Sequence, residues 1–339
     1  IVFPCSQITL NPWNTKSSSG FTGALYSAFR YICQQLVHSD CRILGNKFVN
    51  KLKILAFGAA IAFTATALPA QQVLAETFVF TAIPDENEAR LRERFDKVAA
   101  YLTKTLGVET KYIPVKSYAA AVTAFRNNQV QLGWFGGLSG VRARHLVPGS
   151  EAIAQGFEDQ AFETYFIAHA STGLKPSAEF PAEIEGKTFT FGSKGSTSGR
   201  LMPEYYVRQY FKSAPNSIFT KVGFSGNHSK TIALVQSGAY QVGAVNFKVW
   251  ENEIKTGKID PAKISVVWKT PPYPDYQWTI RGDVEKRWKP GFKAKVREAL
   301  LNMKDPDLLA SFPRKSFIPA SNSDYKPILD VAKLIDLIN

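Results

Sequence analysis

Ile54 to Leu68 is an uncharged apolar run of 15 residues, ILAFGAAIAFTATAL, and it divides the chain in two. A membrane-spanning helix needs about 20 apolar residues, so this run is short for an anchor. Lys47, Lys51 and Lys53 precede it, and Val73-Leu74-Ala75 follows with small or modest residues at the −3 and −1 positions. Basic segment, short apolar core and small-residue exit together read as a secretory signal peptide over residues 47–75, with cleavage predicted before Glu76. No Cys follows the apolar run, so a lipid-anchored form is not expected. Residues 1–46 are expected to be upstream translation or an extension, outside the fold.

What remains is a chain of 264 residues from Glu76 to Asn339. All three Cys of the sequence (Cys5, Cys33 and Cys41) lie before it, which removes thiol chemistry, Cys-ligated zinc and disulfides from the main body. Residues 1–75 hold six Lys/Arg and one Asp. The 41 basic and 28 acidic residues of the whole chain therefore leave 35 and 27 beyond Ala75, a net charge of +8. That suits an anionic partner. No block of Lys/Arg marks a nucleic-acid surface, and an exported chain has no access to DNA.

Past Glu76 the pattern alternates between strand and helix. Thr77 to Ile83 is β-rich. From Glu88 to Leu106 the apolar residues Leu91, Phe95, Val98, Leu102 and Leu106 fall on one helical face, and Gly107 is placed to cap it. Strands are predicted at 110–115, 131–135, 151–154, 188–191, 219–222, 242–245 and 264–268. Helices are predicted at 118–126, 139–146, 201–211, 229–237, 247–255, 293–303 and 328–338. This order implies an α/β protein of two lobes, with mainly parallel sheets flanked by helices.

The loop Gly192-Ser193-Lys194-Gly195-Ser196-Thr197-Ser198-Gly199 concentrates the chemistry. It joins a predicted strand to a helix start, where backbone N–H groups lack partners and the helix dipole favours an anion. Three successive hydroxyls add donors. No Lys-Ser/Thr follows the glycines, so this is not a nucleotide P-loop. Taken alone, a Ser or Thr N-cap is the simpler reading.

Further marks lie in order along the chain: Phe80-Thr81-Ala82-Ile83-Pro84, Trp134-Phe135-Gly136-Gly137-Leu138-Ser139, Pro203 with Tyr205-Tyr206, Gly226-Asn227-His228, Val245-Asn246 and Trp268-Lys269-Thr270-Pro271. With Gly195-Ser196-Thr197-Ser198-Gly199 they make the region 76–339 resemble the phosphonate/phosphite/phosphate-type periplasmic substrate-binding proteins of ABC importers. Those proteins have the type II periplasmic binding fold, and the resemblance is strongest to the branch associated with selenate. The resemblance implies one lobe from 76–167 plus 269–339, another from 168–268, and a ligand cleft between them. Hinge strands are expected near Tyr165–Ala168 and Ser265–Lys269.

It also implies a site for a small tetrahedral oxyanion. Ser196, Thr197 and Ser198 would cradle it, His228 would donate to an oxygen, and Tyr118 would reach it from the first lobe. Trp134 and Phe135 would line the cleft, with a core role the alternative. A second tyrosine of such binders falls at Phe162, without its hydroxyl. After Asn246, the acid that holds an aminoalkyl tail in such binders is replaced by Lys248, which argues for a compact anion. A second acid survives as Asp275, with Tyr276 an equally good match. The implied partners are an ABC permease and its ATPase. The implied state is a periplasmic monomer with no cofactor and no metal.

Other readings compete. His145 and His169 show no metal-ligand spacing with His228. Glu86, Glu88, Arg90, Arg92, Glu93 and Arg94 read as a solvated helix face with i,i+4 pairs. An enzyme on the same scaffold would need a nucleophile elbow or a carboxylate pair, and neither stands out. An ectodomain-type anion sensor is the remaining alternative.

Overall fold

The computed structural model describes residues 76–338. The expected signal peptide and the segment before it lie outside the described residues. Two sheets organise the chain. The first has the order β11-β4-β10-β3-β1-β2, built from β1 (Phe78–Ala82), β2 (Thr110–Tyr112), β3 (Leu132–Phe135), β4 (Glu151–Gly156), β10 (Gln277–Ile280) and β11 (Phe317–Pro319). The second has the order β7-β6-β8-β5-β9, built from β5 (Thr164–His169), β6 (Thr188–Phe191), β7 (Lys221–Phe224), β8 (Val242–Asn246) and β9 (Ile264–Lys269).

Pairing differs from the parallel pattern that the sequence predicts. β1 pairs in parallel with β2 and β3, and β6 with β7 and β8. β10 is antiparallel to β3 and β4, β11 to β4, and β5 to both β8 and β9. Each sheet thus has a parallel half made of crossover units and an antiparallel half made of strands that pass between lobes or return late. Strand–helix alternation reveals crossover units but carries no signal for returning strands.

Local chemistry explains the elements. Asn87 Oδ1 accepts from the Ala89 and Arg90 amides and starts the helix Glu88–Leu106. Gly107, at φ 67°, ends it by donating to the Thr103 carbonyl. Its buried face of Leu91, Phe95, Val98, Leu102 and Leu106 is the one that the spacing predicts. Phe95 packs edge-on to Trp278 and Phe80 in the core of the first lobe. Two smaller clusters, around Phe166/Phe189 and around Ile167/Ile232, cover the two faces of the second sheet.

The chain crosses between lobes twice, side by side. Phe162 and Tyr273 exchange backbone hydrogen bonds of 2.8 and 3.0 Å, and Thr164 and Thr270 tie the next step. β5 and β9 continue from these crossings as neighbours in the second sheet. The helices Tyr118–Arg126, Gly137–Leu146, His228–Gln236 and Phe247–Lys255 all start at the side where the lobes meet. That is the arrangement expected at the carboxyl ends of the parallel strands.

Candidate functional site

The turn at 195–199 is the hub. Ser196 caps the following helix, its Oγ accepting from the Gly199 amide at 2.9 Å. The first turn, Thr197–Leu201, is a wide π-helical turn that runs into the helix Met202–Phe211, a local widening frequent at functional sites. Three groups abut this turn. A Cβ at Gly195 would come within 3.0 Å of Tyr118 Cβ, and one at Gly199 within 3.0 Å of His228 Cε1. The Asp275 carboxyl lies with the Thr197 hydroxyl beside Gly136, where a Cβ would stand 3.0 Å from Asp275 Oδ1 and 3.3 Å from Thr197 Oγ1. Glycine at 195 and 199 is what lets the two side chains approach.

The three hydroxyls divide the work. Ser196 serves as the N-cap, so that part of the local reading holds. Thr197 Oγ1 accepts from the Leu138 amide at 3.0 Å, a bond across the lobes. Ser198 Oγ is buried and has no protein partner, while its carbonyl accepts from Thr164 Oγ1.

His228 is the first residue of its helix. Its amide donates across the lobes to the Asp85 carbonyl at 2.8 Å. Its Nδ1 accepts from the Asn246 amide at 3.2 Å, which puts the ring proton on Nε2. Nε2 is buried and unpartnered. Burial pushes the ring pKa down to about 3, so the imidazole is neutral and Nε2–H is a donor at physiological pH. The Tyr118 hydroxyl is likewise buried without a partner, and burial raises its pKa.

Asp275 completes the set. Its Oδ1 accepts from the Gly137 amide at 2.8 Å, the start of a helix, while Oδ2 is buried and unpartnered. Burial pushes its pKa up to about 7, against the lowering pull of the Gly137 and Thr197 hydrogen bonds. Sequence reasoning left open whether Asp275 or Tyr276 faces the ligand; both side chains are buried where the lobes meet. Tyr276 forms a relay, its hydroxyl donating to Asp85 Oδ2 at 2.8 Å and accepting from Asn246 Nδ2 at 3.0 Å.

Asp85 is the residue that sequence reasoning missed. It bridges the lobes through its carbonyl to His228 and through Tyr276 to Asn246. Its Oδ1 is buried and free, and burial with Glu86 beside it raises its pKa to about 6. Its only sequence signal was its place in the loop between a strand end and the Asn87 cap.

Several expectations need correction. Phe135 does not line the cleft: it packs edge-on to Phe125 at 5.6 Å within the first lobe, because successive residues of β3 face opposite ways. Trp134 faces the site side and backs Tyr276 at 5.5 Å, with Phe162 on the same ring at 5.4 Å. Both act as walls. Asn246 spends Oδ1 on the Lys248 and Val249 amides as an N-cap and Nδ2 on Tyr276, so it holds the frame. Lys248 Nζ pairs with Glu251 at 3.3 Å and lies over the Phe247 ring, at the edge of a small chamber behind Tyr276. The charge run is not uniformly solvated. Glu88–Arg92 and Glu93–Lys97 are exposed i,i+4 pairs, but Glu86 and Arg94 are buried against each other and Arg90 joins them at 2.8 Å.

Unpartnered donors at Tyr118, Ser198 and His228 and unpartnered carboxyl oxygens at Asp85 and Asp275 are thus all buried where the lobes meet, near helix N-termini. Two α/β lobes with such groups buried between them have the architecture of the two-lobed periplasmic class. Residues 80–325 match the family described as ABC transporter, phosphonate, periplasmic substrate-binding protein, and the chain belongs to that family.

Its relatives agree. The probable ABC transporter phosphite binding protein PhnD1 of Prochlorococcus marinus is 41% identical over 264 residues, covering 76% of this chain and 89% of the relative. The phosphate-import protein PhnD of Mycolicibacterium smegmatis is 27% identical over 209 residues, covering 58% of this chain and 63% of the relative. The structure of Prochlorococcus marinus PhnD1 in complex with methylphosphonate superposes with a TM-score of 0.74 at 40% identity, covering 78% of this chain and all of that one. The protein is therefore a periplasmic substrate-binding component of an ABC importer, working with a membrane permease and its ATPase, and it is not an enzyme.

Proposed function

We propose that this chain captures a compact tetrahedral phosphorus oxyanion (phosphite, methylphosphonate or phosphate) between its lobes and delivers it to the permease. The carrying observation is a set of buried unpartnered groups where the lobes meet: the donors Tyr118 OH, Ser198 Oγ and His228 Nε2, and the carboxyl oxygens Asp85 Oδ1 and Asp275 Oδ2, the Asp275 carboxyl having a pKa of about 7. Donors alone suit any oxyanion. An acceptor that exchanges a proton near neutrality suits one that carries a proton itself. Fully ionised sulfate and selenate offer no proton to Asp275 and place negative charge beside its free oxygen.

Size supports a compact ligand. The chamber behind Tyr276 has a volume of about 20 Å³ and is lined by Asp85 and Glu86 as well as by Arg94, Lys248 and Arg314. It leaves no room for an aminoethyl tail. Relatives named for phosphite, phosphate and methylphosphonate fit the same reading.

In this reading ligand binds the open cleft, and closure forms the bonds Thr197–Leu138, His228–Asp85 and Asn246–Tyr276 around it. The two paired crossings serve as the hinge. The mature protein begins at Glu76 after signal-peptide removal and acts as a monomer.

Calorimetric titration of residues 76–339 tests it with phosphite, methylphosphonate, phosphate, 2-aminoethylphosphonate, sulfate and selenate. Tight one-to-one binding of a phosphorus oxyanion, lost in Ser198→Ala and His228→Ala, is expected. Tight binding of selenate or of 2-aminoethylphosphonate would overturn the ligand assignment, and no binding at all would overturn the capture role.

A further inference from the structure

A second space lies outside the sealed site. It is a cleft of about 710 Å³ on the far side of Tyr118, walled by both lobes. From the first lobe come Tyr118, Arg142 and His145. From the second come Phe224 and the stretch Gly192 to Gly195, with Lys194 among them. Tyr118 and Gly195 both line this cleft and lie against each other, an added Cβ at Gly195 standing 3.0 Å from Tyr118 Cβ.

The charge of this cleft is one-sided. None of its lining residues is Asp or Glu, although 28 such residues occur in the chain. Lys194, Arg142 and His145 make no ion pair among the described residues. Lys194 is exposed, its ammonium 5.2 Å above the Phe224 ring. Arg200 covers the same ring at 4.9 Å. It stands close enough to Arg142 to depress the pKa of that guanidinium, after the larger effect of burial. Arg142 also donates to the Leu337 carbonyl at 2.7 Å, which fixes its position at the mouth.

A cleft lined by one sign of charge with apolar walls focuses its field and raises the local concentration of counter-ions. Lys194 sits on the loop that carries the anion-facing hydroxyls, three residues before Thr197. Arg142 lies on the helix whose first amide holds Asp275. The collecting charges and the binding groups therefore belong to the same rigid elements on both sides of the mouth.

We propose that this mouth is an outer anion subsite, distinct from the sealed site, which collects the oxyanion and feeds it past Tyr118 and Gly195 before the lobes close. The inference rests on the oxyanion reading above and adds an entry route and a kinetic role to it. Its occupant is a small free oxyanion held by charge, without the directional hydrogen bonds of the inner site.

Stopped-flow tryptophan fluorescence tests it with inorganic phosphite and methylphosphonate, Trp134 lying against Tyr276 in the closed form. At low ionic strength, Lys194→Gln is expected to slow association roughly threefold and Lys194→Glu roughly tenfold, within the range of steering effects. Dissociation rates should stay as in the unmodified protein. The gap between variants should close as salt rises, because the charges are exposed. Lys104→Gln, the same loss of one charge at the far end of the helix Glu88–Leu106, is the control. Association rates of Lys194→Glu equal to those of Lys104→Gln would overturn the subsite while leaving oxyanion capture intact. An affinity loss carried wholly by dissociation would make Lys194 part of the inner site and overturn the proposal too. No oxyanion binding by the unmodified chain would overturn the functional reading, and the subsite with it.

Discussion

Asp275 is where stability and ligand choice can be separated. Its carboxyl is 1% exposed, and its pKa moves from an ordinary 3.8 to about 7. The native state therefore holds a proton that the unfolded chain releases above about pH 4. The sign follows from linkage. The native state is favoured most below 3.8, and that advantage disappears as pH rises toward about 7, after which the loss is constant. At about 1.4 kcal/mol per pH unit, the interval from 3.8 to about 7 amounts to about 4 kcal/mol. Asp275→Asn keeps an oxygen for the Gly137 amide and removes the ionisation. Urea denaturation without ligand, followed by tryptophan fluorescence at pH 4.5, 6 and 8, reads the effect. Wild type and variant should be close at pH 4.5, and the variant should be the more stable by up to about 4 kcal/mol at pH 8. Asp85 titrates in both proteins and cancels in the difference. The same variant should bind phosphite at least tenfold more weakly, having lost the acceptor for its proton. A stability difference that does not change with pH, or a variant weaker than wild type at pH 8, would refute the reasoning.

Other outcomes follow from the same geometry. Tyr276→Phe removes the link between Asn246 and Asp85 and leaves Asp85 Oδ2 buried without a partner; a loss of about 1–3 kcal/mol in stability is expected by denaturant titration. His228 stays neutral down to about pH 3, so the pH dependence of ligand affinity near neutrality belongs to the carboxyls; calorimetry should show His228→Gln binding more weakly at every pH from 5 to 8 with the profile unchanged in shape. Gly199→Ala would set a Cβ 3.0 Å from His228 Cε1 and 3.1 Å from Gly192 Cα, which should lower ligand affinity severalfold in titration while thermal stability falls by only about 1–3 kcal/mol. Glu204 is buried between Arg200 and the partly exposed Arg208; Glu204→Gln should cost about 2 kcal/mol, visible as a lower melting temperature.

Features written in local chemistry were legible in the sequence. Gly107 and the hydroxyl turn at 196–198 announce a cap and a helix start within a few residues, so the elements and that loop could be placed. His228 came only through the resemblance carried by Gly226-Asn227-His228, because a lone histidine at a helix start fits a surface or capping role as well. The interlobe frame was not. Asp85 and Tyr276 are 191 positions apart and Leu138 and Thr197 are 59 apart, and no periodicity connects them. Glu86 and Arg94, eight apart, lie outside the i,i+4 spacing that marks helix pairs, so their burial was hidden in a run that looks solvated. β10 follows the segment Thr270 to Asp275, where three prolines argue for a break rather than for a central strand.

The position of β10 bears on how the chain assembles. The second lobe has every strand of its sheet once Lys269 has emerged. The first lobe does not, because β10 lies between β3 and β4 and β11 closes the outer edge. Until Ile280 is available, that sheet has a gap at its middle and two unpaired borders. Filling it means closing a loop from Phe135 to Gln277, and such distant pairings form slowly. A periplasmic binding protein of this topology thereby carries its own delay: the lobe that holds β1 cannot lock into its native sheet until the strands near the far end of the sequence have arrived.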